Sequence, residues 1–259
     1  MRQFPIERVS MADTPPLTAR RVFVGTVLTA VGGFVDCFSF LTLGSVYAAT
    51  MSGNTVLIAV HAGKGETSSA LLHAYMVGVF LLGLLVSAGA IELGLRRGLR
   101  RVLALALAIE AACLAALALW GTPLLASGAA GTPQQPHWPL YALLALAAIA
   151  MGTQNTSLRM AGILSIFTTH VTGTLTRLGE QLVNALFARS AEGMSANLAS
   201  AGFSAGLLLA FLFGAFAASE LLPLWGMANV LALPIALLLI VIAADLLQPL
   251  AERRPACEG

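Results

Sequence analysis

The strongest candidate for chemistry in this sequence is Asp36, the only formal charge between Val22 and Gly63. A carboxylate inside an apolar segment that spans a bilayer costs about 2.5–3.5 kcal/mol to insert, so its side chain should face water or a partner. Two interpretations follow. Asp36 is either a site that binds a cation or proton, or a structural hydrogen-bond partner of the neighbouring polar segment.

The surroundings of Asp36 recur in the second half of the chain. Gly33 precedes Asp36 by three positions, and Gly152 precedes Asn155 by the same spacing. A polar cluster that contains glycine follows each pair. We predict that the two copies face each other in a bilayer and build one site.

The candidate residues of that site are acidic, amide, hydroxyl, imidazole and glycine residues from both copies. For an ion or small solute they are Asp36, Ser52, Gly53, Asn54, Gln154, Asn155, Thr169, His170, Thr172 and Gly173. Candidate proton-relay or charge partners are Glu110, Arg159 and Arg177. Glycine permits unwound backbone whose free polar groups coordinate ions, but small residues equally let helices pack closely in membranes. Both interpretations stay open.

Enzymatic motifs do not occur in the sequence. It has no His-Glu-x-x-His, Gly-x-Ser-x-Gly, P-loop or Cys-x-x-Cys, and its four histidines lack metal-ligand spacing. We therefore expect neither an enzyme nor a cofactor or metal. The net charge of +2 is too small to indicate a nucleic-acid partner.

Composition predicts an all-α, polytopic membrane helix bundle. Of the 259 residues, 58% are hydrophobic and 10% are charged, whereas soluble domains carry about 25% charged residues. The mean hydropathy is +0.87, and long runs without charge are typical of transmembrane helices.

The positions of Lys and Arg favour six full spans and two broken or re-entrant segments, with eight full spans as the alternative. Basic residues prefer the cytoplasmic side. Arg20-Arg21 and Arg96–Arg101 reach the same side only if Ser45–Ala62 does not cross. The same treatment of Ile163–Phe187 leaves both termini in the cytoplasm. Three spans per half is an odd number, so the halves would have opposite orientations, as in inverted-repeat transporters.

The domain organisation follows from these spans. We predict a cytoplasmic polar tail over 1–21, a first membrane repeat over 22–120, an external loop over 121–137, a second membrane repeat over 138–247 and a cytoplasmic tail over 248–259. Gly78 and Glu92 in the first repeat share their spacing with Gly206 and Glu220 in the second. Pro234 is predicted to kink the last span.

The paired motifs also carry a family resemblance. The runs GGFVDCFSFLTLGSVYAATMSGNTV and MGTQNTSLRMAGILSIFTTHVTGTLTRLG resemble the YoaK family of uncharacterised bacterial membrane proteins, from about Arg21 to Asp245. That family usually has Thr-Gly-Asn where this chain has Ser52-Gly53-Asn54, so the hydroxyl is kept. The resemblance implies a multi-pass protein of the bacterial cytoplasmic membrane and no established activity.

The sequence thus favours a small secondary transporter or permease with a site at the repeat interface. Its partners would be the lipid bilayer and an unidentified small polar or ionic solute, and homodimerisation stays open. The alternatives are a membrane scaffold or sensor that does not transport, and a passive channel.

Overall fold

The structure is a computed structural model that describes residues 18–99, 101–160 and 171–248, with residues 158–160 described by their backbone only. Within those ranges the chain forms eight α-helices and no β-strand. The helices are α1 (Ala19–Thr42), α2 (Met51–Gly63), α3 (Thr67–Arg96), α4 (Val102–Ala126), α5 (Trp138–Met160), α6 (Val171–Leu186), α7 (Ala191–Val230) and α8 (Ala232–Leu247). In length and composition α1, α3, α4 and α7 suit membrane crossing. The predicted helical membrane bundle is confirmed.

The connecting segments fix the direction of each helix. We call the end of the bundle where α1 begins the proximal side, and the end where α1 finishes the distal side. On the distal side Pro133 packs against Gly44, so α4 ends and α5 begins there. On the proximal side the Arg20 guanidinium donates hydrogen bonds to the carbonyls of Ala244 and Gln248 at the end of α8.

Helices α3 and α5 run parallel, from distal to proximal. The Tyr75 hydroxyl donates to the Tyr141 carbonyl (3.1 Å) near their starts, and the Ser87 hydroxyl donates to the Thr153 carbonyl (3.2 Å) further along. Since α8 ends proximally and follows α7 directly, α7 runs from proximal to distal, parallel to α1. Six helices therefore connect the two sides: α1, α3, α4, α5, α7 and α8.

Two helices, α2 and α6, do not connect the two sides. Helix α2 has 13 residues, about 20 Å at 1.5 Å per residue, which is less than the roughly 30 Å of a hydrocarbon core. It lies between the distal end of α1 and the distal start of α3. Helix α6 lies between the proximal end of α5 and the proximal start of α7. The predicted broken segments correspond to these places, although 161–170 lie outside the described residues.

Two boundary predictions need correction. Helix α4 continues through Pro123 to Ala126, into the predicted external loop. Pro234 does not kink a span, because it lies in the first turn of α8, where its missing N–H costs no hydrogen bond. The bend lies instead in α7 at Gly226, whose φ of 71° and ψ of 168° interrupt the helix after Pro223.

Helices α1 and α7 form the most extensive helix pair, and glycine sets their separation. A Cβ on Gly33 would overlap the carbonyl of Phe211, and a Cβ on Gly214 would overlap the carbonyl of Ala30. The two backbones are therefore in direct contact, which only glycine permits.

Helices α3 and α5 form the next most extensive pair and meet in the same way. A Cβ on Gly152 would overlap the carbonyl of Phe80, and a Cβ on Gly83 would lie 2.8 Å from the carbonyl oxygen of Ile149. Each close contact thus joins one helix from the first half of the chain to one from the second.

Candidate functional site

Asp36 lies in α1, six residues before its end, and is 4% exposed. Its Oδ1 accepts the backbone N–H of Ala49 (2.8 Å) and of Thr50 (3.3 Å), and its Oδ2 accepts the Thr50 hydroxyl (2.5 Å). Thr50 is the N-cap residue of α2. The carboxylate therefore sits at the positive end of the α2 dipole, where an anion is stabilised. These contacts match the structural interpretation of Asp36.

Asn54 of α2 is fully buried and also binds the segment that connects α1 to α2. Its Nδ2 donates to the Tyr47 carbonyl (2.6 Å), while its Oδ1 accepts the Tyr47 N–H (3.1 Å). One amide side chain thus satisfies both the N–H and the carbonyl of the partly buried Tyr47. A backbone polar group left buried without a partner would cost about 1–3 kcal/mol. We call Asp36, Tyr47, Ala49, Thr50 and Asn54 the distal lock.

Gly53 makes room for the distal lock. A Cβ at this position would lie 2.8 Å from Cδ2 of the Tyr47 ring, and that ring stacks on Phe40 with centroids 5.1 Å apart. The predicted polar cluster at 52–55 therefore shapes a packed loop. Ser52 is exposed and takes no part in it.

Two histidines extend the distal lock towards the surface. The buried His73 of α3 has its Nδ1 3.1 Å from Asn54 Oδ1. Since an amide oxygen only accepts, His73 carries its proton on Nδ1. The ring stacks on His61 at 5.2 Å, and His61 Nδ1 lies 2.5 Å from Glu66 Oε2.

The second half contributes a separate, central group of polar residues on α5. The Gln154 amide Nε2 donates to the Leu28 carbonyl of α1, which joins the two halves in the bundle interior. Leu28 lies eight residues before Asp36 on α1, about 12 Å away along the axis. The structure thus places the distal lock and Gln154 at different depths, not in one cluster.

Several buried oxygens near this level have no partner within the described part of the chain. They include the Gln154 Oε1, the Asn155 Oδ1 and both carboxyl oxygens of Glu110. Asn155 occupies the position that corresponds to Asp36 in the second copy, yet its acceptor is unfilled. An acceptor without a donor in a low-dielectric interior is costly, and such groups concentrate where function needs them.

The remaining predicted residues lie elsewhere. Thr172 and Gly173 are exposed on α6, whereas the next residue, Thr174, is buried like Asn54 at the fourth position of α2. Arg177 is partly buried on α6 and has an interaction partner. Thr169, His170 and the Arg159 side chain lie outside the described residues. No cluster of three or more metal-ligating side chains occurs in the residues that the structure describes.

Sequence reasoning missed Tyr47, Thr50 and His73, which complete the distal lock. A buried polar partner for Asp36 was expected, but Tyr47 acts through its backbone and Thr50 is one of many hydroxyls. His73 was not among the predicted site residues. The sequence pattern of α3 alone does not reveal that the His73 side chain contacts Asn54 of the neighbouring helix α2.

Comparison with known proteins places the chain in a family without known activity. A family model described as "Protein of unknown function (DUF1275)" matches residues 24–244. The chain therefore belongs to the DUF1275 family. No curated protein and no solved structure matches it.

Proposed function

We propose that this protein is a small secondary transporter or permease of the bacterial cytoplasmic membrane, for a small polar or ionic solute. The observation that carries the proposal is the central polar group. Gln154 of one half binds the backbone of the other half at Leu28, and buried oxygens of Glu110 and Asn155 have no donor among the residues that the structure describes. Buried ionisable and amide groups inside a membrane bundle mark solute or ion pathways. The YoaK resemblance fits this proposal and stays a prediction.

An inverted repeat supports it. In sequence order the crossing helices of the first half run up, down and up, and those of the second half run down, up and down. The close helix contacts follow the same repeat, because Gly33 of α1 in the first half corresponds to Gly152 of α5 in the second half. The contacts also align FLLG at 80–83 with FLFG at 211–214. Transporters of this architecture bind their solute at the repeat interface.

The orientation follows from basic residues. Arg20, Arg96 and Arg97 all lie at the proximal side. Positive residues favour the cytoplasm, so we assign the proximal side and both termini to the cytoplasm. The limits of the two repeats and tails stay predictions from the sequence, except that the first repeat extends to Ala126, where α4 ends.

Charge movement in proteoliposomes tests the proposal. Solid-supported membrane electrophysiology would record currents after concentration jumps of alkali cations, amino acids, organic acids and amines. We expect saturable currents for one of these classes, reduced about tenfold or more by Asn155→Leu, since about 1.4 kcal/mol of lost binding corresponds to tenfold. The exposed Ser200→Ala on α7 is the control. Currents no larger than those of empty liposomes for every class would overturn the proposal.

A scaffold or sensor is the second candidate, because the distal lock is saturated with internal hydrogen bonds. Asp36 accepts three hydrogen bonds, all from the chain itself. If Asn155→Leu and wild type both give no current but fold equally well, this candidate replaces the transporter. A passive channel would instead give currents that do not saturate with solute concentration.

A further inference from the structure

Glu110 is the one fully buried acid whose carboxyl has no partner among the described residues. Its side chain is 0% exposed, and neither Oε1 nor Oε2 has a hydrogen-bond partner. The other buried acids are satisfied, since Asp36 holds α2 and Asp245 Oδ2 accepts the Ala104 N–H at 3.1 Å. An ionised carboxylate without donors in a low-dielectric interior costs several kcal/mol. The neutral acid avoids this cost, provided its O–H finds an acceptor.

The register of α4 against α5 identifies that acceptor. The two helices run antiparallel and meet at Gly121, where a Cβ would lie 3.9 Å from Leu143 Cδ2. Eleven residues back along α4 is Glu110, and eleven residues forward along α5 is Gln154. Eleven residues make about three helical turns and about 16 Å, so both residues keep the face and the level of the contact. This register puts Glu110 and Gln154 at the same level of the α4–α5 interface and makes Gln154 the candidate acceptor.

Gln154 offers what a neutral Glu110 requires. Its Nε2 donates to the Leu28 carbonyl of α1, while its buried Oε1 accepts no hydrogen bond from the described part of the chain. An amide oxygen only accepts, and a carboxylic acid donates through its O–H. The unfilled acceptor of Gln154 and the unfilled acid of Glu110 are chemically complementary.

We propose that Glu110 and Gln154 form a proton-binding site between the two halves, with the Glu110 O–H directed at Gln154 Oε1. On release the O–H bond of Glu110 breaks, the proton passes to water, and a carboxylate remains. The Gln154 amide then rotates, so that Nε2 donates to Glu110 and gives up Leu28. Release of the Glu110 proton on α4 thereby breaks the hydrogen bond between Gln154 of α5 and Leu28 of α1. This inference rests on the proposed transport function in one respect, because it names the proton as the ion whose movement is coupled to that of the solute.

Few other ionisable groups approach Glu110. Cys113 lies one turn away on α4 itself, and Asp245 of α8 is held at Ala104, about 9 Å along the axis. From α5 the described side chains add only Tyr141, which is near the distal end. Glu92 of α3 pairs with Arg96 at 2.9 Å, and Glu220 of α7 is exposed. Tyr75 of α3 contacts Tyr141.

Carbodiimide labelling of the full-length protein in liposomes tests the site without any solute. Dicyclohexylcarbodiimide reaches apolar interiors and converts protonated carboxyl groups to N-acylureas, which peptide mass spectrometry assigns to a residue. We expect Glu110 to be labelled, with labelling that falls about tenfold or more as the pH is raised, because only the protonated carboxyl group reacts. Addition of NaCl at fixed pH should leave labelling unchanged. Glu92, exposed and paired with Arg96, is the internal control and should remain unlabelled at neutral pH.

The variant Gln154→Met removes the acceptor at nearly constant volume. In this scheme Gln154 also donates to the carboxylate, and hydrogen bonds to a charged group are the stronger ones. We therefore expect the midpoint of Glu110 labelling to move about one pH unit higher, a tenfold gain in proton affinity. Absence of Glu110 labelling in wild type, labelling that does not vary with pH, or protection by NaCl would each overturn the proton site. An unchanged midpoint in Gln154→Met would remove Gln154 from it. Labelling that behaves as expected in a protein that moves no solute would contradict the transport function and leave the proton site standing.

Discussion

At the scale of single residues, the buried polar side chains fall into two groups with different consequences. Those of the distal lock are saturated by short, internal hydrogen bonds, so removing one leaves partners buried and unpaired. Those around Glu110 have oxygens without donors, so removing one costs less and can even stabilise the fold. Stability measurements and activity measurements should therefore respond to different residues.

Asp36→Asn tests the first group. The amide keeps one acceptor but presents an NH₂ group to donors, so at least one of three hydrogen bonds is lost. Hydrogen bonds to a charged group contribute about 1.5–3 kcal/mol, and we expect the free energy of unfolding to fall by about that amount. Thermal unfolding in detergent measures it, with the exposed Glu92→Gln as a control. An unchanged melting temperature together with lost transport would show that Asp36 acts in the solute site instead.

Gly53→Ala tests the packing of the distal lock. The new methyl group would lie 2.8 Å from the Tyr47 ring, and such overpacking costs about 1–3 kcal/mol. Gly63→Ala in the same helix is the matched control, since nothing lies within 4 Å of its Cβ position. We expect a lower melting temperature for Gly53→Ala only. Equal effects of the two variants would mean that backbone flexibility, not the Tyr47 contact, requires glycine.

At the scale of helices, two kinds of element build the bundle. Long helices pair across the halves through backbone contacts at glycine, and short helices α2 and α6 fill the space between neighbouring ends. The segment between α1 and α2 fixes the position of α2. Asp36 of α1 accepts hydrogen bonds from Ala49 and Thr50 of that segment. Asn54 of α2 binds the backbone of Tyr47 in the same segment. Helix α6 buries only Thr174 and Ala185 and packs mainly on α7, with Ser204 donating to Gln181 at 2.8 Å.

Gly214→Ala tests the helix pairing. Its Cβ would overlap the Ala30 carbonyl, so α1 and α7 must move apart and lose contacts along their length. We expect a loss of unfolding free energy at the upper end of the 1–3 kcal/mol typical of overpacking, that is about 3 kcal/mol. Gly206→Ala on the same helix has open space at its Cβ and should leave stability unchanged or raised. Unfolding in a denaturing detergent compares the two, and equal stability of both variants would contradict the close contact.

The crossing helices were predictable because long apolar runs and basic clusters report directly on the bilayer. Their pairing was not, since apolar helices of similar composition fit many neighbours. The Gly78–Gly206 spacing suggested a register for the repeat, but both glycines have open space around them. The close helix contacts involve Gly83 and Gly214 instead. These two glycines correspond when the halves are aligned with a shift of three residues from the Gly78–Gly206 spacing. Only the similar sequences FLLG at 80–83 and FLFG at 211–214 indicated this alignment.

At the scale of the whole molecule, the central claim is that two oppositely oriented halves enclose buried polar groups. The sequence named Asp36, Asn54, Gln154, Asn155 and Glu110 as candidate binding or relay residues, and the structure buries all five. It could not separate them by depth, because depth depends on which helices cross. The structure assigns Asp36 and Asn54 to a distal loop connection, and Gln154 to the interface between halves, where it donates to the Leu28 carbonyl.

Cysteine accessibility in intact cells tests this claim most directly. On a background without Cys37, Cys113 and Cys257, single cysteines replace Ser68, Ser127, Arg97 and Arg189. The first two lie on the distal side and the last two on the proximal side, and all four are exposed. We predict that a membrane-impermeant thiol reagent labels Ser68→Cys and Ser127→Cys in intact cells, and labels Arg97→Cys and Arg189→Cys only after permeabilisation. Protection of Ser68→Cys with labelling of Ser127→Cys would mean that the segment containing α2 crosses the membrane, which contradicts the inverted halves.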